Sequence, residues 1–250
     1  LETATTRRTA ALLLIGNELL TGKVQDQNFS FLARELYALG VDLVRVVVIV
    51  DEVETIAQEV SVLSQGHDFV FTSGGVGPTH DDVTYEGVAR AFGTRVSRNK
   101  RLEEILRSRY GEGTNEGHLR MADTPEGVEL VFAADLRWPA LLMRNVYILP
   151  GIPEFFRMKF EALRPLFRGV PFVLAQIFLR CDETNIAEPL REIAAGFPDV
   201  QIGSYPRVDE ADHRVKLTIE SRDAERVTRA LEALLGVLPA GEIVKIERPE

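Results

Sequence analysis

The sequence predicts an α/β protein: a three-layer αβα domain around a mostly parallel sheet, followed by a small α+β domain of βαββαβ order. Three observations carry that expectation. From Ala10 to Phe167, short apolar strands alternate with helices. Such alternation, with helices of about 10–15 residues, calls for right-handed crossovers and a parallel sheet covered on both faces. After Gly169-Val170-Pro171 the alternation gives way to the split order of ferredoxin-like or KH-like modules. The 250 residues are 45% hydrophobic and 27% charged, with mean hydropathy −0.02. That suits one large or two modest cores and is too apolar for a disordered chain. The expected domains are residues 9–168 and 171–250.

Ala10–Ile15 is a continuous apolar run, as in a strand buried on both faces. Phe29, Leu32, Leu36 and Leu39 follow at helical spacing, with Gly40 as a stop. Leu43–Val50 is β-branched and reads as the second strand. Val53, Ile56, Val60 and Leu63 form one stripe of a helix over Glu52–Gln65. Phe69–Thr72 is a third strand, and Asp82–Phe92 and Lys100–Tyr110 are helices. Between Gly111 and Asn145 the pattern weakens to an irregular excursion with one hairpin, Val128–Ala133 against Ala140–Arg144. Val146–Leu149 is a strand and Ile152–Phe167 a helix. The second domain reads as strand Phe172–Arg180, helix Thr184–Ala195, strands Val200–Tyr205 and Arg214–Glu220, helix Ala224–Leu238 and strand Ile243–Ile246.

Composition removes several function classes. No segment approaches the roughly 20 uncharged apolar residues of a membrane span. The single cysteine, Cys181, allows neither an intrachain disulfide nor a cysteine-built zinc site, and at the end of an apolar strand it reads as a core thiol. A reducing, cytoplasmic setting is expected. The formal charge of −9 disfavours nucleic-acid binding. The basic run Arg95, Arg98, Lys100, Arg101, Arg107 and Arg109 is interleaved with Glu103 and Glu104, so it reads as a solvated helix face. Leu1–Arg8 lacks an apolar signal region and reads as a leader segment or an appended remnant.

Chemistry concentrates at Thr72-Ser73-Gly74-Gly75-Val76-Gly77-Pro78-Thr79-His80-Asp81-Asp82-Val83-Thr84. This stretch ends a strand and opens a helix. Its glycines permit a tight turn and close approach of a ligand, and a helix start offers unpaired N–H groups to an anion. Ligands of open parallel sheets bind at such strand ends. The plainer alternative is a structural strand-to-helix turn. Asp81 and Asp82 could cap the helix. Beside a phosphate, however, a carboxylate is tolerable only with a cation between them, which suits Mg²⁺. An aspartate could instead act as base toward a hydroxyl or water. Asp51-Glu52 and Asn17-Glu18 follow neighbouring strands and belong to the same rim, although Asp51 or Glu52 could equally be a helix cap. Gly16 to Gly22-Lys23 has the wrong spacing for a nucleotide P-loop, and Val24 stands where Ser or Thr is needed. His67, His80, His118 and His213 show no ligand spacing, and no G-x-S-x-G elbow is present.

Gly16-Asn17-Glu18-Leu19-Leu20-Thr21-Gly22, Val50-Asp51-Glu52, the run from Gly74 to Thr84 and Leu149-Pro150-Gly151-Ile152-Pro153-Glu154 together resemble the MoaB/Mog-like molybdopterin-binding domain family, in the branch of the CinA N-terminal region. Gln25-Asp26-Gln27-Asn28, Arg144-Asn145-Val146-Tyr147 and Gly203-Ser204-Tyr205-Pro206 make the likeness closest to the N-terminal region of eukaryotic FAD synthase. The resemblance covers the chain from about Thr9. It implies a ligand at the glycine turn. The two aspartates that matter in molybdopterin adenylyltransferases match Asp51 and Asp82. That family usually carries Arg before the second one, where this chain has Asp81, a change that argues against pterin adenylylation and for a metal-supported site.

The implied activity is that of a divalent-metal-dependent nucleotide pyrophosphatase cleaving a dinucleotide such as FAD or ADP-ribose. Asp51 and Asp82 would be catalytic. Glu18, Asp51, Asp81 and Asp82 would hold Mg²⁺ or Co²⁺. Ser73, Gly74, Gly75, Gly77 and Thr79 would cradle the pyrophosphate. Asn28, Gly151, Pro153 and Glu154 would shape the nucleotide side, with Asn17 and Thr84 completing the substrate-binding set. The expected partners are a nucleotide or pterin, with neither nucleic acid nor membrane, and a homo-oligomer is expected. The alternatives are a molybdopterin-binding or adenylyl-transfer module, and a non-catalytic binding or regulatory protein.

Overall fold

The computed structural model describes residues 7–133, 136–207 and 212–249; of the expected leader, residues 1–6 lie outside them. The chain divides into two units, the first ending at Val170 and the second beginning at Pro171.

The first unit opens with β1 (Arg8–Ile15), α1 (Asn17–Leu20), α2 (Asn28–Ala38), β2 (Val41–Ile49), α3 (Val53–Gly66), β3 (Phe69–Ser73) and α4 (Thr84–Ala91). It continues with β4 (Val96–Arg98), α5 (Lys100–Tyr110), α6 (Glu116–Arg120), β5 (Asp123–Pro125), β6 (Glu129–Val131), β7 (Ala140–Met143), β8 (Val146–Leu149) and α7 (Pro153–Leu163). Six strands form one sheet in the order β2-β1-β3-β8-β7-β6. The first four are parallel, and the β6–β7 hairpin joins antiparallel through β8.

Strand alternation builds two cores from one sheet. Ala11, Leu13 and Ile15 pack with Ile56, Val60 and Leu63 of α3, Val88 of α4 and Leu102 and Leu106 of α5. Ala10, Leu12 and Leu14 pack on the other face with Leu32 and Leu36 of α2 and Phe156, Phe160 and Leu163 of α7. The layers are therefore helix, sheet, helix. β1 reads as an unbroken apolar run because both of its faces are covered.

The differences from the sequence expectation are local. The aspartates do not open a helix: α4 begins at Thr84, after Asp81 and Asp82, and has no side-chain cap. The expected helix over Ile152–Phe167 ends at Leu163, where Pro165 forces a 3₁₀ turn over Arg164–Leu166. α1, β4, β5 and α6 are too short for periodicity to announce them. Arg95, Arg98, Arg101 and Arg107 of the basic run pair with Glu126, with Glu116 and Asp123, with Glu104 and with Glu103. Those of Arg95, Arg101 and Arg107 are solvated ion pairs of small energetic weight, whereas Arg98 lies at the end of β4, not on a helix, and is part-buried with both Nε and Nη2 donating to Asp123.

The β7–β8 connection is tied down by Asn145. Its Nδ2 donates to Ser64 O at 3.0 Å and His67 O at 2.8 Å, and its Oδ1 accepts from Ser64 Oγ at 2.6 Å. These bonds satisfy carbonyls at the end of α3 that the helix cannot pair itself.

The second unit comprises β9 (Val173–Leu179), α8 (Ala187–Gly196), β10 (Gln201–Pro206), β11 (Val215–Ser221), α9 (Ala224–Val237) and β12 (Ile243–Glu247). Its sheet is antiparallel, in the order β10-β11-β9-β12. Ala175, Ile177, Leu179, Leu217 and Ile219 pack against Val227, Leu231 and Leu234 of α9. Cys181 is buried in this core, and burial pushes its thiol pKa up. No helix among the described residues is long and apolar enough to cross a membrane.

One buried cation interrupts the apolar stripe of α7. Lys159 Nζ donates to Trp138 O at 3.2 Å and Pro139 O at 2.6 Å. Burial lowers its pKa from 10.5 to about 8, because the charged form is poorly solvated there. The folded state then binds this proton more weakly than the unfolded chain. The stabilisation that follows is complete above about pH 10.5 and is lost as pH falls through about 8. Compared with Lys159→Met, the parent should gain about 2–3 kcal/mol across that window. Urea unfolding of both proteins along a pH series checks this, and parallel curves would refute it.

Candidate functional site

The carboxyl ends of β1, β2, β3 and β8 meet at one rim. Gly74 follows β3 with φ +115°, and a Cβ there would stand 2.1 Å from the Ile15 carbonyl oxygen. Its N–H donates to Leu149 O at 3.3 Å. Gly74 is thus wedged between the ends of β1 and β8, where only glycine fits. Gly75 continues the turn at φ +63°. Gly151 lies against Gly74, its would-be Cβ 3.2 Å from Gly74 Cα.

Two threonines and an asparagine hold the turn. Thr84 is fully buried; its Oγ1 donates to Gly74 O at 2.9 Å and its N–H to Gly75 O at 3.0 Å. Buried Asn28, at the start of α2, donates through Nδ2 to Ser73 Oγ at 2.9 Å and Gly151 O at 2.8 Å. Asn28 therefore clasps the ends of β3 and β8 together. Its Oδ1 is buried with no hydrogen-bond partner.

The turn leaves amides free. Among the described residues, the N–H groups of Gly75, Val76 and Gly77 have no hydrogen-bond partner, nor do those of Tyr85 and Glu86 in the first turn of α4. α7 starts at Pro153 without a side-chain cap, leaving the Glu154 and Phe155 N–H groups open. Unpaired amides at the turn and at two helix starts make a receptor for anionic oxygens.

Two carboxylates flank these amides. Asp51 Oδ2 accepts the Asn17 N–H at 2.8 Å, so Asn17 contributes its backbone. Asp51 Oδ1 lies 3.6 Å from the position a Gly75 Cβ would take. Asp82 stands over Gly77, its Oδ2 2.5 Å from that residue's would-be Cβ. The same oxygen accepts the Thr79 N–H at 2.8 Å and also the Thr79 hydroxyl. Each aspartate keeps one oxygen without a hydrogen-bond partner among the described residues.

The remaining acids differ. Glu18 folds back over Gly16, the residue after Ile15, and stays on the rim. Asp81 is exposed, beside His80 at 3.9 Å. The neighbouring Thr79 hydroxyl, then its own backbone N–H, hold its carboxyl below the usual range. Glu52 precedes α3 without capping it; its Oε2 accepts from Thr55 Oγ1 at 3.1 Å. Glu154 and Pro153 lie in the first turn of α7. No three acidic, histidine or cysteine side chains converge as a ready metal cage among the described residues. Asp51 and Asp82 would each offer a carboxylate oxygen to a hard cation beside the turn; Mg²⁺ commonly takes one or two carboxylates and completes its shell with phosphate and water.

Sequence reasoning missed Asp26, whose Oδ1 accepts the Phe29 N–H at 2.8 Å and steadies the start of α2. An aspartate two residues before a helix was the available signal. The clasping role of Asn28 had none, because its partners lie 45 and 123 positions away.

Comparison with known proteins now bears on this geometry. Residues 11–169 match the family described as a probable molybdopterin binding domain. The chain belongs to that family. Residues 171–247 match the middle domain of FAD synthase. A probable FAD synthase of Caenorhabditis elegans is 34% identical, over 95% of this chain and 51% of that protein. A CinA-like protein of Frankia casuarinae is 32% identical over 86% of this chain and 54% of its own length. The chain thus spans about half the length of these two relatives. A protein of Archaeoglobus fulgidus, 33% identical, is covered over 93% of its length. The crystal structure of the protein CinA with unknown function from Thermoplasma acidophilum superposes with TM-score 0.59 at 27% identity, over 64% of this chain and 98% of that one. These findings agree with the likeness read from the motif residues.

Gly74→Ala should cost about 3 kcal/mol or more, since the new methyl meets a backbone oxygen and the φ is strained. Gly22→Ala, at φ +71° with open space around it, should cost only about 1–2 kcal/mol. Urea midpoints of the two variants test the contrast.

Proposed function

We propose that the protein is a divalent-metal-dependent nucleotide pyrophosphatase acting on a dinucleotide such as FAD or ADP-ribose. The observation that carries this is that, among the described residues, turn amides without partners lie beside two carboxylates, Asp51 and Asp82, each with an unpartnered oxygen. Acids alone would repel a pyrophosphate, and amides alone would bind it without cleaving it. The likeness to a probable FAD synthase supports a nucleotide ligand.

In this reading the Gly75, Val76 and Gly77 amides bind non-bridging phosphate oxygens and stabilise charge as it develops in the transition state. The Glu154 and Phe155 amides receive the second phosphate. Asp51 and Asp82 would hold Mg²⁺ or Co²⁺ with Glu18 nearby; when bound, the cation neutralises phosphate charge and acidifies a coordinated water. One aspartate orients the attacking water and accepts its proton. Water adds to one phosphorus, the bridging P–O bond breaks, and two monophosphates leave. Asn28 and Thr84 keep the turn in register, and Ser73 sits beneath it, bonded to Asn28. Thr79 fixes the Asp82 carboxylate. Asp81, an acid where a phosphate-binding Arg would favour adenylyl transfer, faces solvent and joins only in helping to recruit the cation. We read the second unit as a ferredoxin-like or KH-like module, supported by its βαββαβ order and its β10-β11-β9-β12 sheet.

The test is incubation with FAD, ADP-ribose or ATP, with and without Mg²⁺ or Co²⁺. Release of FMN or ribose 5-phosphate together with AMP should require the metal. Asp82→Ala and Asp51→Asn should lower kcat by about 100-fold or more with unfolding midpoints little changed. Adenylylated pterin formed from ATP would favour the adenylyl-transfer alternative. Tight ligand binding with no turnover under any metal would favour the non-catalytic one.

A further inference from the structure

A groove of about 560 Å³ runs along α5 and shares no residue with the glycine turn. One wall is a single face of the helix: Arg101, Glu104, Ser108 and Arg109, with Ile105 as the floor. Arg137 forms the other wall. Both walls are held in place. Asn99 caps α5, its Oδ1 accepting the Arg101 and Leu102 N–H groups, and Leu102 and Leu106 anchor the helix in the core. Arg137 stands between buried Leu136 and Trp138, which packs against the same core. The carbonyls of Trp138 and Pro139 accept from buried Lys159. The charge in this groove is not balanced. Arg101 pairs with Glu104 at 3.2 Å. Arg109 and Arg137 are exposed, and among the described residues neither has a carboxylate partner. Arg109 lies only over the ring of its neighbour Tyr110, at 5.6 Å. Arg95, Arg98 and Arg107 of the same basic run all have acidic partners.

We propose that this groove binds a phosphate monoester, an organic dianion whose phosphate bridges Arg109 and Arg137. Two uncompensated guanidinium groups on facing walls repel each other. The chain carries 38 acids against 29 lysines and arginines, so the two are not left unpaired for want of carboxylates. An anion between the walls removes the repulsion. A phosphate takes paired hydrogen bonds from each planar guanidinium, a geometry that lysine cannot offer. A phosphate monoester carries about two negative charges at neutral pH, which matches the two open cations, whereas a single carboxylate balances one of them. The Ser108 hydroxyl lies in the same wall as a further donor. The organic part has its place over Ile105. The groove lies within the roughly 300–1,000 Å³ of small-molecule sites and is far larger than a bare phosphate needs. A nucleic-acid strand would require a continuous basic track, and Glu103 and Glu104 interrupt it on α5.

The test is equilibrium binding of AMP, adenosine and inorganic phosphate to the full chain. The only tryptophan, Trp138, adjoins Arg137, so its emission reports on this groove; calorimetry on the same pairs decides the matter if the emission does not move. AMP should bind saturably and adenosine should not. Inorganic phosphate should compete with AMP, at least about 10-fold more weakly, because it leaves the floor uncovered. Arg109→Ala and Arg137→Ala should each weaken AMP about 10-fold or more, and the double variant should abolish the Trp138 response. Arg120→Ala, an exposed arginine outside the groove, should change nothing. Asp82→Ala should keep this binding while losing turnover, so the site stands or falls separately from the activity proposed above. Absence of saturable AMP binding would overturn the proposal, as would AMP binding that survives the double variant. Inorganic phosphate binding as tightly as AMP would overturn the assignment to an ester.

Discussion

The site depends on how closely two strand ends can approach. The backbone after β3 passes the Ile15 carbonyl with no room for a single carbon atom. That approach turns the chain sharply, with positive φ at Gly74 and Gly75. With a methyl at Gly74 the turn would have to lift off β1. The second turn, at Gly151, packs on the first for the same reason. Backbone is brought against backbone, and the Asn28 side chain joins the two strand ends by hydrogen bonds.

An edge assembled this way is electrostatically unbalanced by itself. Free amides and the starts of α4 and α7 give the rim positive character, and Asp51 and Asp82 answer it. Among the described residues each aspartate has one oxygen bonded to a backbone N–H and one without a partner. The bonded oxygen fixes the orientation of the carboxylate, and the open one is available for chemistry. The scaffold beneath contributes rigidity. β1 is buried between two cores, so the strand ends cannot move independently of five packed helices.

The long elements were legible because burial on both sheet faces leaves an apolar run, and because helices with one buried stripe repeat at three and four residues. α5 and β8 begin and end where the pattern places them, and the β6–β7 hairpin lies within the segment expected for it. The start of α4 was misjudged because an aspartate before a helix satisfies a turn and a cap equally well in sequence. Asp82 bonds back to Thr79 instead of forward into the helix. The end of α7 was misjudged because its apolar spacing continues past Pro165, while the missing N–H stops the helix before it. Of the four acids expected to hold a cation, the fold turns Asp51 and Asp82 to the glycine turn, keeps Glu18 over Gly16 and leaves Asp81 in solvent.

By itself the sequence determined the fold class, the two-part order of elements, the glycine turn and the identity of the acids near it. Those properties are written in local spacing and residue chemistry. Only the tertiary structure decided which carboxylate oxygens remain open, that Asn28 joins β3 to β8 and that Lys159 is buried beneath two carbonyls. It also revealed that, among the described residues, β2 is an edge strand whose Val44, Val46 and Val48 are exposed. Each of these facts depends on which strands become neighbours, a choice made by packing between residues far apart in the chain.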